Sequence, residues 1–196
     1  MIWYEDEVKR LEKDHLENEK EPHIVFYGSS SIRLWKNLEQ HFPDKKVMNL
    51  GFGGSTLAAC VWFFQRIMLH IQPKALVIYA GDNDLGDGRN PEEVFIFFQQ
   101  LAVHIAHRFD DLPCYFISLK PSLGRIAIID KFRYTNELIK REIIQYHPNW
   151  KFIDVFSGML DPVSGKPKAD LFQDDGLHLS EKGYGLWKEI VNPYLI

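Results

Sequence analysis

Three consecutive serines, Ser29, Ser30 and Ser31, follow the apolar run HIVFYG (23–28) and lead into a helical pattern. A hydroxyl at that place either caps the helix or attacks a substrate, and residues elsewhere must supply the rest of the chemistry. Near the C-terminus, Asp175 and His178 stand three apart in LFQDDGLHLSEKGY (171–184). Histidine titrates near neutrality, which suits a general base, and a carboxylate on its other ring nitrogen fixes the tautomer and stabilises the imidazolium. By spacing alone, Asp174 could equally be the orienting acid. Two stretches between these blocks offer neutral donors. NLGFGGST (49–56) has three glycines in four positions, which lets backbone N–H groups approach a ligand. Asn83, in AGDNDLGDG (80–88), offers a carboxamide suited to negative charge growing on a carbonyl oxygen. A hydroxyl, a base, a carboxylate and neutral donors are the parts of acyl transfer to a serine. Residue chemistry alone does not choose among the three serines.

Other chemistries fit less well. Gly51-Phe52-Gly53-Gly54 lacks the G-x-G-x-x-G spacing, and no Lys-Ser/Thr pair follows as in a phosphate-binding loop. Counted from Asp82, Glu93 takes the twelfth place of a calcium loop, but Asp87 stands where a glycine is required and Gly86 supplies no oxygen. No metal and no cofactor are therefore expected, and Asp84 reads as a structural acid. Cys60 and Cys114 have neither disulfide-framework nor metal-ligand spacing and read as buried thiols. The 23 basic and 27 acidic residues leave a charge of −4, which argues against a nucleic-acid partner. The opening stretch is too charged for a secretory leader, and no run reaches about 18 apolar residues. A cytoplasmic protein without integral membrane association is the expectation.

These side chains need elements to hold them. Apolar runs at 23–28, 46–51, 75–81, 114–119 and 151–156 read as strands. Helical patterns cover 31–41, 55–71, 91–107, 128–147 and 180–190, with Pro91 in a first turn and Ser180 as a cap. That alternation predicts an α/β fold of three layers, α/β/α, with a five-stranded parallel sheet covered on both faces. Ligands of such sheets sit beyond the carboxyl ends of the strands, where the serines, the glycines and Asn83 fall. Residues 1–20 are expected to hold a helix (3–19) laid on the surface, ahead of one domain over 21–196. Trp3 and Tyr4 could pack on that domain or across a homodimer. LKPSLGR (119–125) reaches the same rim, and Arg125 could meet an anion or form a structural ion pair.

In its ordered blocks the sequence resembles the SGNH hydrolases, the GDSL-type esterases and lipases, from about residue 22 to 190. It looks most like small bacterial acylhydrolases related to the catalytic subunits of platelet-activating-factor acetylhydrolases. Gly28-Ser29-Ser30 matches the first block, Gly53-Gly54 the glycine block, Gly81-Asp82-Asn83-Asp84 the G-x-N-D block and Asp175-Gly176-Leu177-His178 the D-x-x-H block. Ser29 departs from the aspartate common at its position. The resemblance implies a flavodoxin-like SGNH hydrolase fold and a catalytic triad of Ser30, Asp175 and His178. It also implies an oxyanion hole of the Ser30 and Gly54 N–H groups and the Asn83 amide. Ser29 and Arg125 become candidates for the substrate pocket. The implied activity is serine esterase hydrolysis of a small carboxylic ester, with short acyl chains favoured because no long insertion forms a lid. Lysophospholipase, thioesterase and carbohydrate acetylesterase activities are the alternatives, and an idle binding protein on the same scaffold is the rival from another class.

Overall fold

The computed structural model describes residues 1–16 and 22–195. Five strands form one sheet: β1 (Ile24–Gly28), β2 (Val47–Gly51), β3 (Ala75–Tyr79), β4 (Cys114–Ile117) and β5 (Trp150–Ile153). Their order is β2-β1-β3-β4-β5, and every pairing is parallel. The chain order reverses between β1 and β3, and the crevice at such a point is where open α/β sheets bind ligands.

Among the described residues, eight α-helices flank the sheet: α1 (Glu5–Leu16), α2 (Ser30–Arg33), α3 (Leu38–His41), α4 (Leu57–Ile67), α5 (Asp82–Gly86), α6 (Pro91–Phe109), α7 (Ile129–Tyr146) and α8 (Glu181–Val191). Successive strand residues point to opposite faces, so each strand feeds two cores. Val25, Tyr27, Leu76, Ile78 and Phe116 pack beneath α1, α4, α6 and α7, while Ile24, Phe26, Val77, Tyr79 and Ile117 meet α2, α3 and α8. That is the three-layer arrangement expected from the near-continuous apolar strands. Thr56 and Ser180 cap α4 and α8 through their hydroxyls, and Pro91 opens α6 within a capping box of Asn90 and Glu93. No helix among the described residues is long and apolar enough to cross a membrane.

One local expectation changes. The helix expected over 31–41 is divided into α2 and α3. Trp35 lies in the break and is buried against Phe26, Phe42, Tyr184 and Trp187, while its indole N–H donates to His41 Nδ1 (3.0 Å). Burying that large ring outweighs continuing the helix. The polar stretch after β3 forms a short helix, α5. At the N-terminus a 3-10 turn (Ile2–Tyr4) leads into α1, whose Val8 and Leu11 join the core. Tyr4 packs edge-on against Phe52 and Phe63 of its own chain, whereas Trp3 is 74% exposed. The expected end of that helix (17–19), and the boundary at residue 20, lie outside the described residues.

Candidate active site

β1 ends on Gly28 at φ +143°, where a Cβ would lie 1.9 Å from the Tyr79 carbonyl oxygen, so only glycine lets β1 and β3 converge here. Ser29 follows in extended conformation, and its N–H donates to that same oxygen (2.9 Å). Its carbonyl accepts from the N–H groups of Ile32 and Arg33, which starts α2 without help from its hydroxyl. The Ser29 and Ser31 hydroxyls are buried without a hydrogen-bond partner among the described residues. Ser30 is only half-buried, and its hydroxyl and N–H meet no protein acceptor among the described residues. Of the three serines, Ser30 alone is partly open to solvent. The sequence could not show this, because exposure at one turn depends on how the neighbouring strand and helices close over it.

The turn after β2 lies against the serine turn. A Cβ on Gly51 would meet the Arg33 nitrogen at 2.2 Å, so α2 sits hard on the end of β2. The Gly28 carbonyl accepts from the Phe52 N–H (3.0 Å) and the Ser55 hydroxyl (3.2 Å). Gly54 is exposed at φ +66°, and its N–H has no protein acceptor among the described residues. The N-terminal segment holds this turn from outside. Tyr4 Oη donates to the Gly54 carbonyl (3.0 Å), and Glu7 accepts from the Gly53 N–H (3.4 Å) while paired with Arg33 (2.8 Å).

Asn83 lies in α5, beyond β3. Its Nδ2 donates to the Ser55 carbonyl (3.0 Å), and its Oδ1 accepts from Arg125 Nη2 (2.9 Å). Arg125 Nη1 donates to the Asp82 carbonyl (2.8 Å) and lies 3.5 Å from Asp82 Oδ2. The two aspartates beside Asn83 are engaged separately. Asp84 is fully buried and accepts from the Leu57 N–H at the start of α4 (2.6 Å) and from Arg89 (3.0 Å), a structural use. Burial raises the pKa of Asp84, and these bonds offset only part of that effect. Asp82 Oδ2 pairs with Lys120 Nζ (2.9 Å), and both side chains are almost completely buried. The two cations, Lys120 and Arg125, outweigh desolvation and hold the Asp82 pKa below its ordinary value. Lys120 is a residue that sequence reasoning passed over. Its signal was a lysine three residues beyond the end of β4, at the rim where buried polar groups gather.

The last loop sets His178 against Asp175. His178 Nδ1 lies 2.5 Å from Asp175 Oδ2, while Asp175 Oδ1 accepts from the N–H groups of Leu177 (2.8 Å) and His178 (2.9 Å). Asp175 is therefore the acid that holds the ring, and Asp174 has no such bond. Desolvation acts to raise the Asp175 pKa, but the Leu177 N–H, the His178 ring and the His178 N–H together lower it to about 2. A carboxyl depressed in the fold contributes stability above its unfolded value of about 3.9, and that contribution is lost as the pH falls through the folded value. Accordingly, the melting-temperature gap between wild type and Asp175→Asn is expected to be constant at neutral pH. It should close between about pH 4 and pH 2. A gap that widens on acidification would contradict this assignment of the loop's hydrogen bonds.

Two contacts bring this loop to the rim. Gly124 N–H donates to the Gly176 carbonyl (2.9 Å), and Tyr184 Oη donates from α8 to the Ser31 carbonyl (2.9 Å). Ser30, Gly54, Asn83, Arg125 and the Asp175–His178 pair are thus linked through neighbouring residues around one edge of the sheet. His178 and Ser30 are not hydrogen-bonded to each other, and such bonds often form only when substrate closes the site.

Residues 25–186 match the family model described as the GDSL-like Lipase/Acylhydrolase family. A Streptococcus pneumonia protein provisionally assigned as a platelet activating factor is similar over 99% of this chain and 95% of its own, at 22% identity and a TM-score of 0.86. A GDSL-like lipase from Bacteroides thetaiotaomicron covers 95% of this chain and 96% of its own, at 20% identity and 0.76. An acetyl esterase variant solved with an acetate ion covers 87% and 94%, at 13% identity and 0.68. No curated protein matches by sequence. At such identities the likeness carries the fold alone, whereas the family model spans most of the chain, including all four rim blocks in their order. On that match the chain belongs to the GDSL-like lipase/acylhydrolase family and is a hydrolase of the SGNH type.

Proposed function

We propose that the protein is a serine esterase that cleaves carboxylic esters with short acyl groups through an acyl-enzyme. The observation that carries this reading is the solvent-reached Ser30 on the same rim as a histidine oriented by a doubly held aspartate. His178 Nε2 removes the Ser30 proton as Oγ attacks the ester carbonyl. The tetrahedral oxyanion is met by the Ser30 and Gly54 N–H groups and by Asn83 Nδ2. His178 then delivers the proton to the leaving alkoxide, the C–O bond breaks and the alcohol departs. Water attacks the acyl-enzyme, passing its proton to His178, and Ser30 recovers its proton as the acid leaves. Asp175 holds the ring and stabilises the imidazolium in both halves.

The preference for short acyl groups rests on the walls. The buried residues of α4, including Cys60, Phe63 and Phe64, face the core and form no acyl groove, while Trp62 on the same helix is exposed. Ser29 enters the proposal only as a wall, because its hydroxyl is buried.

Purified protein is expected to hydrolyse p-nitrophenyl acetate and butyrate faster than the octanoate. A fluorophosphonate should stop turnover after about one equivalent, with the label mapped to Ser30. Octanoate turned over fastest would remove the short-acyl preference. A folded protein that hydrolyses none of the three and takes no label would remove the esterase reading.

A further inference from the structure

The esterase reading gives Asn83 a donor's task but leaves unexplained why a guanidinium grips its other end. Arginine carries only donors, so the amide atom facing it must be the oxygen. The Arg125 bond to Oδ1 (2.9 Å) therefore fixes which way the carboxamide points. It turns Nδ2 to the opposite side, where one hydrogen goes to the Ser55 carbonyl (3.0 Å) and the second has no protein acceptor among the described residues. A released amide could flip its oxygen toward the oxyanion position, where a lone pair would face growing negative charge. The positive charge on Oδ1 also draws electron density from the amide and makes Nδ2–H a stronger donor.

Arg125 is built in for this contact. Its side chain is 17% exposed, with Nη1 on the Asp82 carbonyl and near Asp82 Oδ2, and Asp82 is itself anchored by buried Lys120. Gly86 leaves the guanidinium its space, since a Cβ there would come within 2.6 Å of Arg125 Cζ. That commitment counts against Arg125 as a free anchor for an anionic substrate.

We propose that Arg125 is a positioning residue: it locks the Asn83 carboxamide in its oxyanion-donating orientation, with Gly86 kept free of a side chain to admit the guanidinium. This inference rests on the esterase reading above.

The test measures kcat and KM for p-nitrophenyl acetate, with melting temperatures, in wild type, Ser30→Ala, Asn83→Ala, Arg125→Met, Arg125→Lys, Gly86→Ala and the Asn83→Ala/Arg125→Met double variant. Asn83→Ala is expected to lose about 10²–10³ in kcat as a missing oxyanion donor. Arg125→Met should lose roughly 30-fold, with KM within about two-fold, because the donor remains but is no longer held. Arg125→Lys should recover only part, since an ammonium cannot make the forked contact. In the Asn83→Ala background, Arg125→Met should cost less than about three-fold further. Gly86→Ala should mimic Arg125→Met while leaving both partner side chains in place, and it carries the test if Arg125→Met does not fold.

A full and additive Arg125→Met loss in the absence of Asn83 overturns the proposal. So does a loss expressed in KM alone, which would mark a substrate contact. In both cases an active wild type and an inactive Ser30→Ala leave the esterase reading standing. A wild type no faster than Ser30→Ala overturns that reading and this inference together.

Discussion

Ser30→Ala is expected to lower ester turnover on the order of 10⁵–10⁶-fold, while Ser29→Ala and Ser31→Ala stay within about five-fold of wild type. Removing the nucleophile of a triad leaves only the residual help of oxyanion donors and binding. The contrast among adjacent serines follows from burial. Ser29 and Ser31 carry buried hydroxyls without a hydrogen-bond partner among the described residues, so truncating either removes no hydrogen bond from the site. Their structural work is done by the backbone: the Ser29 carbonyl starts α2, and the Ser31 carbonyl receives the Tyr184 hydroxyl. Steady-state assays with p-nitrophenyl acetate, on variants with native circular dichroism, decide the matter. A folded Ser30→Ala that retains wild-type turnover would defeat the assignment, and loss of activity in Ser31→Ala alone would transfer the role to Ser31.

Lys120→Met is expected to cause the largest loss of stability, about 3–5 kcal/mol, because it strips the main counter-charge from a buried carboxylate. Asp82 Oδ2 receives Lys120 Nζ and the Tyr79 hydroxyl, while Oδ1 has no hydrogen-bond partner among the described residues. Without the lysine, Arg125 at 3.5 Å and the tyrosine hydroxyl are left to hold the charge. For a chain of this size the loss corresponds to a fall in melting temperature of about 10 °C. Asp82→Leu combined with Lys120→Met should regain part of it, since an apolar pair removes the orphaned charge. Below about pH 4 the Lys120→Met deficit should shrink, because protonation of Asp82 neutralises the group in the variant and weakens the ion pair in the wild type. Urea unfolding at about pH 7 and about pH 3 measures both effects. A single-variant loss under about 1 kcal/mol at neutral pH would mean that relaxation or water replaces the lysine.

What the sequence made legible was mostly local. Strands buried on both faces are written as unbroken apolar runs, so five parallel strands and their carboxyl-end rim could be read directly. Gly28, Asn83, Asp175 and His178 stood out because each falls just after a strand or before the last helix. The hidden parts depend on distant partners. Lys120 and Asp82 are 38 positions apart, and Arg125 and Asn83 are 42 apart, so neither pairing leaves a periodic trace. The split of the expected 31–41 helix follows from the place that Trp35 finds in the core, which no local propensity encodes. Asp82 and Asp84 look alike in sequence, yet one faces Lys120 and the other the start of α4.

The bonds that draw the rim together also set an order of events during synthesis. Tyr4 can meet the Gly54 carbonyl once about a quarter of the chain has left the ribosome, since they are 50 positions apart. The Tyr184 bond that seats α8 against the serine turn spans 153 positions, and His178 emerges only shortly before it. A nascent chain therefore carries Ser30 and the glycine turn long before His178. Parallel strands 23 or more positions apart and contacts of such span fold slowly, and meanwhile the apolar seat of Trp187 stays open to chaperones and to other nascent chains. Hydrolytic competence arrives last, when α8 closes that face.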